Sequence, residues 1–261
     1  MKPLVVISRD NPASLNIKSA LLTLEKLTEK KGWFWEGVDF DIAEYSGSII
    51  EIAPEHDAEY YVFASTHRSE SGKACFTAHT PGNWGDADMG GRPQTLNVAM
   101  PGRLKAAAQK MKELSSGSLG WPVSIEVDHH GPTLSKPVMF AEIGSSEAEW
   151  NVPEAGMIVA KAIIAAIRQP CECAAYVGFG GTHYAPKFTP KVVDGGIALG
   201  HIVSGYALEK YGVDGGRLLQ AMNKNAGKIN CALIDWKGIK GERRRQLVEL
   251  LDKMEISWEK A

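Results

Sequence analysis

Short apolar runs alternate along this chain with longer stretches whose apolar positions recur at helical spacing. The runs at Leu4–Ser8, Tyr60–Ser65, Cys75–His79, Val123–Val127, Val138–Ile143, Ala174–Phe179 and Ile229–Ile234 are predicted as strands. After the first of them, Asn11 and Pro12 form an N-cap and first-turn proline. The helix they open has an apolar face of Leu15, Ala20, Leu21, Leu24 and Leu27. Pro101-Gly102 opens a second helix through Leu114. Glu154–Ile167, with Pro153 at its start, is a strongly apolar third, and Glu242–Met254 is a last, amphipathic one. This alternation predicts an α/β architecture. No internal repeat or low-complexity segment interrupts it. Thr80–Pro93, rich in Gly, Pro, Asp and Asn, is predicted as a long surface loop, and Ser115–Gly120 as a second break. The expectation is a single α/β domain over 1–261, with room for a small subdomain around 80–120.

Composition narrows the function classes only slightly. The chain has 261 residues and a formal net charge of -2. That excludes a globally basic nucleic-acid protein but not a local basic patch. No apolar run is long enough to span a membrane, and the first run is too short for a signal-peptide core. Cys75, Cys171, Cys173 and Cys231 form no CxxC pair. Cys75 and Cys231 fall in apolar runs and are expected as buried thiols, Cys171 and Cys173 in a helix-to-strand connection. A cytoplasmic location is expected.

The candidate chemistry lies in three segments, each placing histidine beside glycine or proline at the end of a strand: Thr77-Ala78-His79-Thr80-Pro81-Gly82-Asn83, Asp128-His129-His130-Gly131-Pro132-Thr133 and Gly178-Phe179-Gly180-Gly181-Thr182-His183-Tyr184. Histidine titrates near neutral pH and binds metals, and loops at strand ends build crevices in α/β sheets. His129 and His130 point to opposite faces if their strand continues and both reach the pocket if the chain has turned. One ligand or base plus one structural histidine is the simpler expectation. Gly180 and Gly181 permit close backbone approach and are expected, with Thr182, to contact substrate and offer N–H groups to an oxyanion.

His67 and Arg68, in the polar segment Ser65–Gly72, are further candidates for substrate contact, against an ordinary polar turn. Glu142 interrupts an apolar strand, where a carboxylate is costly unless paired or ligated; it is a candidate base, ligand or histidine partner. His201 is expected to be a satisfied structural histidine and His56 a surface residue. Lys224, Lys228, Lys237, Lys240 and Arg243-Arg244-Arg245 cluster late, with Lys187 and Lys191 after the third histidine segment; together they read as a phosphate-gripping patch or a solvated face. No GxSxG elbow, HExxH helix or phosphate loop is present. What remains is water activated by histidine, by carboxylate or by a metal they hold.

In order and spacing over most of the chain, these segments resemble the archaeal and plant type of D-aminoacyl-tRNA deacylase. The likeness is carried by Ser8-Arg9-Asp10, Ser65-Thr66-His67-Arg68-Ser69, His79–Asn83, His129–Thr133, Glu142–Ser146 and Gly178–Pro186. Asp128 departs from it, standing where the family pattern is expected to carry threonine. The resemblance implies hydrolysis of the ester joining a D-amino acid to the tRNA 3′ end. It also implies zinc, a monomer, and a three-layer α/β/α core with a mixed sheet, phosphorylase/hydrolase-like and similar to peptidyl-tRNA hydrolase. Combined with the residues, it suggests zinc on some of His79, His129, Glu142 and His183, and catalysis by His79, His130, His183 and Glu142. Gly82 and Asn83 join the substrate contacts, and Lys187, Lys191, Arg243, Arg244 and Arg245 would bind tRNA. Two alternatives stand beside it: a metal-dependent hydrolase of a small amide or ester that does not use tRNA, and a non-enzymatic metal- or nucleotide-binding module.

Overall fold

Strand β1 (Leu4–Ser8) is buried along its whole length, which is why its apolar residues follow one another without alternation. Helix α1 (Pro12–Leu24) is started by Pro12 and by the Asn11 side chain, which accepts a hydrogen bond from the Ser14 N–H at 3.0 Å. The computed structural model describes residues 1–70 and 72–261. The chain continues through β2 (Thr28–Lys31), β3 (Phe34–Glu36), β4 (Asp41–Tyr45), β5 (Tyr61–Arg68), β6 (Cys75–His79), β7 (Gly82–Asn83), β8 (Thr95–Leu96), α2 (Pro101–Ser116), β9 (Val123–Ile125), β10 (Val138–Ser145), α3 (Glu147–Trp150) and α4 (Pro153–Arg168). It ends with β11 (Ala175–Phe179), α5 (Thr189–Val193), β12 (Ala198–Val203), α6 (Gly205–Tyr211), α7 (Gly215–Asn223), β13 (Ile229–Ile234), α8 (Gly241–Lys253) and β14 (Trp258–Lys260).

Eight strands form a mixed sheet in the order β2-β3-β4-β1-β5-β10-β6-β9, and four form a parallel sheet in the order β12-β11-β13-β14. Helices pack around them: α4 lies against α1 and α2, and α2 touches strands of both sheets. The fold is therefore α/β with a large mixed sheet. The α1–α4 crossing is close because residue 156 is glycine; a Cβ there would meet Asn16 Oδ1 at 2.3 Å. Asn16 in turn donates to the Trp150 and Val152 carbonyls at the start of α4. One apolar cluster joins the two sheets through residues such as Ile143, Ile163, Phe188, Leu199 and Ile202. Another, on the far face of the large sheet, stacks Phe63 on Phe140 with ring centres 4.7 Å apart.

Strand β2 (Thr-Glu-Lys-Lys) is exposed throughout and carries no apolar signal, so nothing in its pattern predicts it. The expected surface loop at Thr80–Pro93 holds for Asp86–Pro93, which is exposed or half-buried, and is corrected for Thr80–Gly85, which is buried. Its polar groups are satisfied inside: Thr80 Oγ1 donates to Gly200 O, Asn97 Nδ2 to Pro81 O and Trp84 Nε1 to Gly212 O. Within 80–120, the β7–β8 hairpin and α2 are separate pieces, and α2 is packed between the sheets.

Candidate active site

Three neighbouring strands place their side chains on one face. In register, Glu142 of β10 lies opposite Ser65 of β5 and Thr77 of β6; Gly144 lies opposite His67, and Phe140 opposite His79. With a side-chain period of two, Ser65, His67, Thr77, His79, Phe140 and Glu142 share that face. Gly144 makes room for His67, since a Cβ would stand 2.8 Å from its Cδ2 atom.

Strand β9 supplies the centre. Its ladder with β6 ends at Ile125, short of the predicted Val127, because the chain then crosses between the sheets. Glu126 N donates to Ala78 O in the large sheet, whereas Val127 N and Asp128 N donate to His183 O and Ile202 O beside the small one. This crossing carries Glu126 into the middle of the histidines. Its Oε1 lies 2.8 Å from His67 Nδ1. Its Oε2 lies 3.5 Å from His129 Nε2, 3.6 Å from His183 Nε2 and 3.9 Å from His79 Nε2. Glu142 Oε2 accepts from Thr77 Oγ1 at 2.9 Å and stands 3.7 Å from His79 Nε2.

His130 has φ 46°, so the chain has turned and the two adjacent histidine rings lie 4.3 Å apart on the same side. Glu126 Oε2 and both ring nitrogens of His79 are buried without a hydrogen bond. Such orphaned donor and acceptor atoms are costly in a folded core. They converge here: one atom from each of His79, His129 and His130 lies within 4.8 Å of the others, and the same holds for His67, Glu126 and His183 and for His79, Glu126 and Glu142. Groups of this kind could hold a metal ion.

Burial and mutual charge sort the protonation states. Burial, then the charges of His129 and His130, hold His79 well below the usual imidazole range. Burial likewise lowers His129, and with the charge of His129 it pushes His130 down to about 3. All three are thus neutral imidazoles, the form that ligates metals. Burial raises Glu126, but the facing His183 and His67 side chains, with His129 and His79 beside them, outweigh it and hold the carboxyl well below its ordinary value. Burial, with the Glu126 charge, pushes Glu142 up to about 8. Burial also depresses His67, but Glu126 overcomes it and the net shift is upward.

A cleft of about 630 Å³ opens onto this cluster, lined by His67, His129, His130, Glu142 and His183 together with Asp10, Ile49, Ile50 and Met89. The expected histidines are therefore assembled. Glu126 is the functional candidate that the sequence reading missed. It interrupts Val-Ser-Ile-Glu-Val just as Glu142 interrupts its own strand, and the same argument applied to β9 would have found it.

The other expected contacts divide between the cleft walls and positions further off. The Gly180 and Gly181 N–H groups donate to Val203 O and Gly238 O at 2.8 and 3.2 Å, so neither is free for an oxyanion. Asn83 spends its amide on Gly90 O and Arg92 O. Arg68 lies exposed over Trp150 and lines the same cleft as the histidines. Arg244 stacks on Trp236 and donates to Trp236 O and Ile239 O, and Arg243 donates to Gln246. Lys187 and Arg245 are exposed and Lys191 half-buried. Ser71, one of the hydroxyls of the 65–72 segment, lies outside the described residues. His201 is structural: Nδ1 meets Asp128 Oδ2 at 2.7 Å and Nε2 meets Lys224 O at 2.9 Å. His56 stacks on Phe34 away from the site.

Known proteins resemble this chain in sequence and in fold. The sequence profile of D-aminoacyl-tRNA deacylase matches residues 54–259. The D-aminoacyl-tRNA deacylase of Thermococcus kodakarensis is 40% identical, over 84% of this chain and 76% of its own. That of Pyrococcus furiosus is 33% identical over 97% and 98%, and that of Methanococcus vannielii 34% identical over the full length of both. A crystal structure of a conserved protein of unknown function superposes with a TM-score of 0.91 at 32% identity, covering 99% of this chain and 95% of the other. Matched along nearly its whole length in sequence and fold, the chain belongs to the D-aminoacyl-tRNA deacylase family.

Proposed function

We propose that this chain hydrolyses the ester joining a D-amino acid to the 3′ end of tRNA, releasing the free D-amino acid and reusable tRNA. The observation that carries the chemistry is the orphaned Oε2 of Glu126, faced by the Nε2 atoms of three histidines. The substrate class is supported by the family.

The orphaned atoms fit a zinc ion, which suits imidazole and carboxylate donors; His79, His129 and Glu126 would hold it, with Glu142 and His183 beside them. When bound, zinc supplies Lewis-acid polarisation of the ester carbonyl. His183 is the half-exposed histidine at the cleft. It takes the attacking water's proton on Nε2, and Glu126, 3.6 Å away, stabilises the imidazolium that results. Glu142, protonated at neutral pH, is the acid available to the departing ribose oxygen. His67 braces Glu126 from the other oxygen and is itself held by Tyr184, whose hydroxyl lies 2.9 Å from Nε2. The aminoacyl side chain sits toward Ile49, Ile50 and Met89, where the wall rejects the L epimer sterically. We place this activity in the cytoplasm, with the chain acting as a monomer; among the described residues no helix is long and apolar enough to cross a membrane.

The test is hydrolysis of D-tyrosyl-tRNA against L-tyrosyl-tRNA, with metal content measured on the same preparations. The expected result is cleavage of the D-ester alone, lost on chelation and restored by zinc at a fixed stoichiometry. Cleavage of small esters with no turnover of either tRNA would sink the reading and favour a small-molecule hydrolase.

A further inference from the structure

A second cleft, of about 880 Å³, lies beside the histidine site and plays no part in the scheme above. Thr182, Tyr206, Glu209, Lys210, Lys237 and Lys240 line it. Tyr206 joins the two: it also lines a small pocket of about 260 Å³ whose walls include His129, His130 and His183. The histidines thus stand between a cleft with apolar residues on one side and an aromatic, charged cleft on the other. An aminoacyl ester has the same polarity, with a side chain on one side of the carbonyl and a nucleotide on the other.

The chemistry of the second cleft matches a nucleotide. Tyr206 is 52% exposed, a large ring left open at the mouth of a polar cleft, where a base can stack on it. Glu209 Oε1 is buried without a hydrogen-bond partner, while its other carboxylate oxygen faces Lys240 Nζ at 3.4 Å. An unpaired buried acceptor asks for a donor, and a base amino group or a ribose hydroxyl is one. Lys237 makes no ion pair among the described residues, leaving its charge for a phosphate. The walls are closely packed: a Cβ at Gly205 would stand 2.1 Å from Gly238 O, and one at Gly238 would stand 2.4 Å from Gly181 N, so three loops close on one another through glycine.

We infer that this cleft seats the 3′-terminal adenosine of the tRNA acceptor end, with Tyr206 as its stacking platform, Glu209 as acceptor for its donors and Lys237 beside the phosphate that follows. The inference rests on the reading that the chain acts on aminoacyl-tRNA.

Two measurements on the full chain test it. Steady-state kinetics with D-tyrosyl-tRNA should show KM raised about tenfold in Tyr206→Ala, on the scale of one lost base stack, with kcat little changed. Tyr206→Phe should restore KM, and Glu209→Ala should raise it several-fold. Separately, binding of adenosine 5′-monophosphate followed by NMR should move resonances of this cleft and weaken about tenfold in Tyr206→Ala. Unchanged KM and unchanged nucleotide binding in Tyr206→Ala would overturn the seat while leaving deacylation standing. Tyr206-dependent binding of the nucleotide by a protein that cleaves no aminoacyl-tRNA would leave the seat standing and overturn the reading beneath it.

Discussion

Two buried histidine–carboxylate groups lie a few residues apart in this molecule, and they differ in one respect. Around His201, every polar atom is used: Nδ1 on Asp128 Oδ2, Nε2 on Lys224 O, and Asp128 Oδ1 on Ile202 N at 3.1 Å. Around Glu126, four histidines converge, yet Glu126 Oε2 and both nitrogens of His79 have no hydrogen bond. The first group is closed and joins the His129–His130 turn to β12 of the small sheet. The second is open and faces a cleft. Burial alone does not separate structure from function here, since His79 and His201 are equally inaccessible. Satisfaction does: a folded chain tolerates orphaned buried polar atoms where a ligand will complete them.

The largest expected effect comes from the open group. Glu126→Gln removes the charge that the imidazoles share and should lower kcat/KM for the D-ester by about 10³-fold. Thermal melting should change little, because Gln keeps the size of the side chain and an acceptor oxygen facing the histidines. A variant that melts earlier but deacylates at the normal rate would erase the contrast between the two groups.

The closed group should respond in the opposite way. Asp128→Ala leaves His201 buried without its partner, and a urea titration should show a loss of about 3–5 kcal/mol. Activity per folded molecule should fall far less than in Glu126→Gln. The comparison fails if Asp128→Ala is as stable as the parent, for the pair would then hold nothing in place.

A smaller effect sharpens the contrast through pH. Burial opposes the charged form of His201, but the Asp128 charge and hydrogen bond overcome it, and its pKa is raised. A histidine raised above its unfolded value of about 6.5 contributes stability in full below that value and loses it as pH climbs through the raised one. The melting difference between parent and Asp128→Asn should therefore be largest near pH 6 and shrink toward pH 9. His79, His129 and His130 are depressed, so their contribution runs the other way, falling as the solution is acidified. Both chains carry those three histidines, and the difference between the chains isolates His201. A gap that widens with pH would contradict the raised His201.

Much of this was legible before folding was considered. The apolar runs at Leu4–Ser8, Cys75–His79 and Ile229–Ile234 are the observed strands to the residue, because strands that are largely buried need mostly apolar sequence. The three histidine segments were legible too, since glycine and proline mark the loops where strands end. Strand β2 was not, because an exposed edge strand of Thr, Glu and Lys buries nothing. Strand β12 was missed because Gly200 and His201 interrupt its apolar run, although His201 is buried once Asp128 neutralises it.

The sequence by itself determined the α/β class, the family and the side-chain types that are candidates for the chemistry, because these depend on local pattern and residue identity. Only the tertiary structure decided which of them meet. Glu126 is central because the chain leaves β6 after Ile125 and crosses to the small sheet. Gly180 and Gly181 lose the expected oxyanion role because their amides pair with backbone from Val203 and Gly238. Asp128 and His201 become a closed pair although 73 positions separate them. Each outcome depends on a contact between distant segments, and no local spacing encodes such a contact.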